Sequence, residues 1–262
     1  MDRPNFLILG AAKSGTTSLY HYLGQHAEVF FSEPKEPTFF EASWERGLEH
    51  YWRSYFAGWG GQPAVGEARA YNLFLPYVPD RIRQSVPDAR LIAVLRHPVE
   101  RAHSHWWHRF ARAQERLPFV EALRRNRREL EQGRTFAGAA GPRQWRRGLD
   151  RNTSATRYGL YLELGLYAEQ LERYLSLFPR SRIRVVFFED LRRDPRAVTR
   201  ELWGFLGLAA DRPLVDPRPQ NVAPEVQWSA GELRVRRWAR ALLPLTRRLP
   251  GGLKARVRAS FG

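Results

Sequence analysis

The 262-residue chain contains no cysteine. It therefore has no disulfide frame, no thiolate metal ligand and no cysteine nucleophile. Lysine is nearly as scarce. Of 43 basic residues only Lys13, Lys35 and Lys254 are lysines. A GC-rich genome writes arginine for lysine, but that bias does not explain the sign of the charge. Only 27 acidic residues oppose the basic ones, leaving a formal net charge of +16. Such a surface attracts polyanions, anionic membranes and anionic nucleotides. Where arginine is the default, a retained lysine is a candidate for a place that needs a compact ammonium rather than a planar fork. Long apolar runs are also missing: nothing approaches the roughly 20 residues of a membrane span. After Asp2 and Arg3 the first apolar run, Phe6 to Leu9, gives way at once to a glycine loop, without a signal-peptide pattern. A cytoplasmic location is expected.

The composition is otherwise that of a globular protein, 43% hydrophobic and 13% aromatic. The length fits one large α/β domain spanning residues 1–262. Short continuous apolar runs at 5–9, 64–68, 89–95 and 182–188 read as buried parallel strands. Between them, 16–26, 47–56, 76–85 and 198–206 read as helices, and Pro98 suits the first position of another. Residues 27–41 read as a connection. Leu160, Leu164, Tyr167, Leu171 and Tyr174 follow an amphipathic helical spacing. Alternating strands and helices predict a central parallel β-sheet flanked by helices on both faces. Residues 112–157 differ, with 12 arginines against five acids, and read as a basic insertion. It is expected to hold one helix over 118–131, then a mobile glycine-rich loop. The segment 232–262 is a basic tail. Its leucines at 242, 243, 245 and 249 allow peripheral contact with an anionic membrane, beside the plainer reading of a solvated helix.

The string GAAKSGTTS, residues 10–18, follows a strand and opens a helix. There, free backbone N–H groups and the positive end of the helix dipole face an anion. The spacing is that of a P-loop, G-x-x-x-x-G-K-[ST], with one departure. Thr16 follows the second glycine, and the lysine stands earlier, at Lys13. The loop offers backbone donors at Gly15, the hydroxyls of Ser14, Thr16, Thr17 and Ser18, and one displaced ammonium. A second candidate anion site lies at Arg96, which ends a strand, with Ser104 about two turns into the next helix. An arginine fork there suits a terminal phosphate. His97, His103, His105 and His108 cluster nearby, but 103 and 105 point to different helix faces, and no metal site is expected.

These motifs resemble those of the PAPS-dependent sulfotransferases (PAPS is 3′-phosphoadenosine 5′-phosphosulfate), in particular bacterial members and the glycosaminoglycan N- and 3-O-sulfotransferases. The resemblance covers about residues 5–224. It implies a single P-loop-like α/β domain, PAPS as co-substrate and PAP as product, with no metal. Lys13 to Ser18 would hold the 5′-phosphate, with Lys13 at the oxygen that becomes the leaving group. Arg96 and Ser104 match the 3′-phosphate motif. The string SEPKEPTFFE, residues 32–41, resembles the K-E-P-H-F-F segment and picks Glu36 as general base, with Lys35 beside it. Thr38 stands where relatives often have histidine. The string GEAR, residues 66–69, resembles the family's G-E-[AK]-[ST]-P segment and adds Glu67 as a catalytic candidate, with Arg69 two places on. Residues 221–224 resemble the loop that closes over the nucleotide. The implied acceptor is a hydroxyl or amine on a carbohydrate, glycolipid or natural product, and no nucleic acid is expected as partner. Two other readings remain: a P-loop nucleotide kinase-like enzyme, and a non-catalytic polyanion-binding module resting on the charge.

Overall fold

The computed structural model describes residues 4–133, 135–149 and 158–220. The 221–224 loop, the basic tail and residues 150–157 of the insertion lie outside the described residues. The chain runs β1 (Phe6–Gly10), α1 (Thr16–Leu23), β2 (Val29–Phe31), α2 (Gly47–Tyr55), β3 (Ala64–Ala68), α3 (Val78–Ser85), β4 (Arg90–Leu95), α4 (Pro98–Phe110). It continues α5 (Phe119–Glu131), α6 (Gly141–Gly148), α7 (Tyr167–Leu175), β5 (Ile183–Phe187), α8 (Phe188–Arg193) and α9 (Pro195–Phe205). All five strands are parallel, in the order β2-β3-β1-β4-β5.

Alternation along the central strands sorts the core into two layers. Leu7 and Leu9 of β1, with Leu91, Ala93 and Leu95 of β4, meet Tyr51 of α2, Ile82 of α3, Trp145 of α6 and Tyr174 of α7. Phe6, Ile8, Ile92 and Val94 turn the other way, onto Leu19 and Leu23 of α1 and Leu202 and Trp203 of α9. Both faces are therefore covered, which is why these strands are apolar throughout. The chain leaves β1 toward β2 and β3, then crosses back past β1 to β4. That reversal opens a crevice at the carboxyl ends of β1 and β4, the usual ligand position in an open α/β sheet.

The structure corrects the sequence reading in three places. The connection 27–41 contains the edge strand β2 and leads into a wide helical turn, Phe39–Ser43. The periodicity over 160–174 spans two elements: a short turn at Glu163–Gly165 precedes α7, which begins only at Tyr167. The expected mobile loop after α5 contains α6, whose Trp145 is fully buried. Glycine there serves close packing. A Cβ on Gly141 would lie 1.9 Å from the carbonyl oxygen of Phe136.

Candidate active site

The candidate residues stand just past the carboxyl ends of the strands: 11–15 after β1, Glu36 after β2, Arg69 after β3 and Arg96 after β4. At the turn from β1 into α1, Gly15 adopts φ +88°, and a Cβ there would meet the Phe188 ring at 2.8 Å. No side chain caps α1, so the amides of its first turn lack that partner. The Ser14 hydroxyl is fully buried and has no hydrogen-bond partner among the described residues. An uncapped helix start beside an orphaned buried hydroxyl fits an oxyanion.

Lys13 crowns this loop in the left-handed region, φ 69°. Its ammonium donates to Nδ1 of His108 at 3.1 Å. Burial, with Arg112 and Arg96 nearby, lowers its pKa to about 8, against a smaller opposing pull from Glu36. His108 is held down to about 3 by burial and by the cations Lys13, Arg112 and Arg109. It is therefore a neutral acceptor, whose Nδ1 is shared by Lys13 and by Arg112 at 2.7 Å.

Arg96 lies over the Phe188 ring at 4.5 Å, donates to the Lys13 carbonyl at 3.4 Å and pairs with Glu100 at 3.1 Å. On α4, Ser104 falls between Glu100 and His108 at four-residue spacing, hence on the face that meets Arg96 and Lys13.

A second group of side chains lies alongside. Lys35 donates to the Thr17 hydroxyl at 3.1 Å and pairs with Glu36 at 3.3 Å. Arg69, fully buried, pairs with the other Glu36 oxygen at 3.1 Å and with the buried carboxylate of Glu41. Glu36 also has left-handed backbone, φ 63°, and keeps 34% of its side chain exposed. Non-glycine residues in this region are strained, and such strain concentrates at functional sites. A continuous chain thus runs Thr17, Lys35, Glu36, Arg69, Glu41.

Glu67 is elsewhere. It is a fully buried residue of β3 and accepts from the Tyr51 hydroxyl and from Asn72 Nδ2 at 2.8 Å. Burial pushes it up to about 7, against the lowering effect of the Tyr51 and Asn72 bonds and of Arg69. Its carboxylate has no open side toward a substrate. The Ser18 hydroxyl accepts from the Gln220 amide at 2.9 Å. Glu41 and His108 were not singled out for this site from sequence. Their signals are slight: Glu41 closes the 32–41 string, and His108 sits one turn beyond Ser104. Among the described residues no group of three metal-binding side chains forms.

Fold and site together define an α/β protein with a P-loop-like turn from β1 into α1. A profile of the sulfotransferase domain matches residues 3–224. The chain belongs to the sulfotransferase family. Human heparan sulfate glucosamine 3-O-sulfotransferase 6 is 32% identical over 205 residues, which are 78% of this chain and 52% of that protein. The membrane-associated sulfotransferase kil1 of Dictyostelium discoideum is 26% identical over 277 residues, 78% of this chain and 56% of the relative. The chain therefore spans about half the length of these curated relatives. The crystal structure of a sulfotransferase from Alicyclobacillus acidocaldarius superposes with a TM-score of 0.68 at 31% identity, covering 93% of both chains. No helix among the described residues is long and apolar enough to cross a membrane.

Proposed function

We propose that this chain transfers a sulfuryl group from PAPS to a hydroxyl or amine of a carbohydrate, glycolipid or natural-product acceptor, with Glu36 as general base. The observation that carries this reading is the convergence of Lys13, Lys35, Glu36 and Arg96 on the uncapped start of α1. When bound, PAPS supplies the sulfuryl group and the phosphate oxygen from which it departs. The α1 amides and the Ser14, Thr16 and Thr17 hydroxyls hold the 5′-phosphate. Lys13 offsets the charge that grows on the departing oxygen, where a fixed cation is worth most. Neutral His108 orients that ammonium. Arg96 and Ser104 take the 3′-phosphate, and Arg96 then shares or releases Glu100.

On the opposite side, Glu36 takes the acceptor's proton. Arg69 and Lys35 fix its carboxylate from two directions, and the Lys35 bond to Thr17 ties that carboxylate to the donor loop. Glu67 supports the β3 end from within the core rather than touching the acceptor. A metal has no role in this reading, since the donor carries no triphosphate to neutralise.

Calorimetric titration with PAP, ADP and ATP-Mg²⁺ tests the donor. PAP should bind more tightly than ADP. In Arg96→Ala the preference should fall by about 10- to 100-fold, the worth of a charge-assisted phosphate contact. Preference for ATP-Mg²⁺ would instead favour the kinase-like reading. Equal, salt-sensitive binding of any polyanion would favour the polyanion module.

A further inference from the structure

An amphipathic helix ordinarily buries its apolar stripe and shows its charges to water. Helix α4 does the reverse. Its buried residues are Arg101, Ala102, His105 and Arg109. Val99, His103, Trp106, Trp107 and Phe110 fall on the other side, at the three- and four-residue spacing of one stripe. Val99 is 60% exposed, His103 is exposed, and Trp106, Trp107 and Phe110 are half-buried.

The stripe continues onto the start of α5. Trp106 stacks on Phe110 at 4.9 Å and reaches the Phe119 ring at 5.6 Å, and His103 meets Phe119 edge-on at 5.1 Å. Next to Phe119, Val120 is 55% exposed. The rings brace one another, and Trp106 Nε1 donates to the Leu117 carbonyl at 2.9 Å, so the patch has a set shape. Cations border it. Arg116 lies between the two helices and Arg124, Arg127 and Arg128 on α5, all of them exposed. The exposed acids of α5 are Glu121 and Glu131, and Glu131 is paired with Arg127 at 2.9 Å.

We propose that this outward stripe of α4, with Val120 and the arginines of α5, docks on an anionic lipid surface. The composition fits that partner. Tryptophan and phenylalanine rings settle at the boundary between acyl chains and headgroups, and guanidinium groups beside them meet lipid phosphates and carboxylates. A second copy of the chain fits the patch poorly, because it would set arginines against arginines on molecules of net charge +16. The face is separate from the basic tail. Ser104 and His108 lie on the side of α4 that meets the donor loop. Docking therefore sets these two side chains within about 12 Å of the headgroups, one helix diameter.

Because the chain has no cysteine, a single label can be placed at will. Val120→Cys on α5 and Arg196→Cys on α9, both exposed positions, each carry an environment-sensitive nitrobenzoxadiazole dye. The full chain is mixed with phosphatidylcholine vesicles, with or without phosphatidylserine. With phosphatidylserine, emission at 120 should rise and shift to the blue, and emission at 196 should not. This readout reports which face meets lipid, whatever the basic tail adds to binding. Trp107→Ala/Phe110→Ala and Arg124→Ala/Arg128→Ala should each weaken vesicle partitioning about tenfold. Arg196→Ala/Arg200→Ala removes equal charge from α9 and should change it less than about twofold. No emission change at 120, or an equal one at 196, would overturn the docking face, even if the aromatic double variant failed to fold. An equal response to vesicles without phosphatidylserine would overturn the anionic partner. A concentration-dependent change at 120 with no vesicles present would give the face to a second copy instead.

Discussion

The donor loop and the carboxylate cluster beside it are built on different principles. The donor loop is nine consecutive residues, 10–18, and most of its chemistry is backbone amide and short hydroxyl. Its proposed ability to hold an anion rests on a strand running into an uncapped helix. The carboxylate cluster draws Lys35, Glu36 and Glu41 from one segment, Arg69 from the end of β3 and Tyr71 from the following turn. None of these forms a site without the others. A buried guanidinium such as Arg69 is tolerable only because two carboxylates meet it. The loop after β1 can be read locally, whereas the carboxylate cluster is a product of assembly.

Three substitutions test that division, the largest effect first. Glu36→Gln should lower turnover about 10²- to 10⁴-fold, the range for a lost general base, and leave PAP affinity unchanged. Single-turnover transfer rates beside calorimetry would show it. If PAP affinity fell in step with the rate, the two regions would be one unit and the contrast would collapse.

Trp145→Ala removes the largest side chain that anchors α6, at a site with no exposure. It should cost about 3–5 kcal/mol in urea unfolding. It should also raise the acceptor KM more than the PAP dissociation constant, because α6 backs Tyr71 and Arg69 rather than the loop. An equal rise in both would mean that the insertion supports the whole sheet end.

The smallest effect is expected at Glu67. Its folded-state pKa is raised from 4.5 to about 7, so the folded protein binds this proton more tightly than the unfolded chain. The resulting stability is complete below pH 4.5 and is lost as pH rises through about 7. Glu67→Gln should remove that slope, so its stability relative to the parent should improve between pH 5 and pH 8, by on the order of 1–3 kcal/mol. Urea midpoints at the two pH values measure it. A parallel shift at both would show that the carboxyl titrates alike in both states and that Tyr51 and Asn72 do not hold its proton.

Much of the architecture was open to a reading of pattern. Continuous apolar runs marked β1, β3, β4 and β5, and β3 falls on the expected residues 64–68. The edge strand β2 escaped because it is three residues long. The helix α6 escaped because its glycines and arginines read as a solvated loop. Its eight residues contain one apolar anchor, Trp145, too few for a periodicity. Among the candidate residues, Lys13 and Arg96 drew notice by their place just past strand ends, and Ser104 by its spacing from Arg96. Glu67 was chosen from a string, and the string did not reveal that its carboxylate points into the core toward Tyr51.

By itself, then, the sequence determined a parallel α/β sheet and a P-loop-like turn after its first strand, because both depend on neighbours in the chain: apolar runs, a glycine where φ must be positive, hydroxyls at a helix start. Only the tertiary structure decided which carboxylate faces solvent. Glu36 and Glu67 are alike as residues. What separates them is the burial and the partners that distant segments bring: Arg69 and Lys35 to one, Tyr51 and Asn72 to the other.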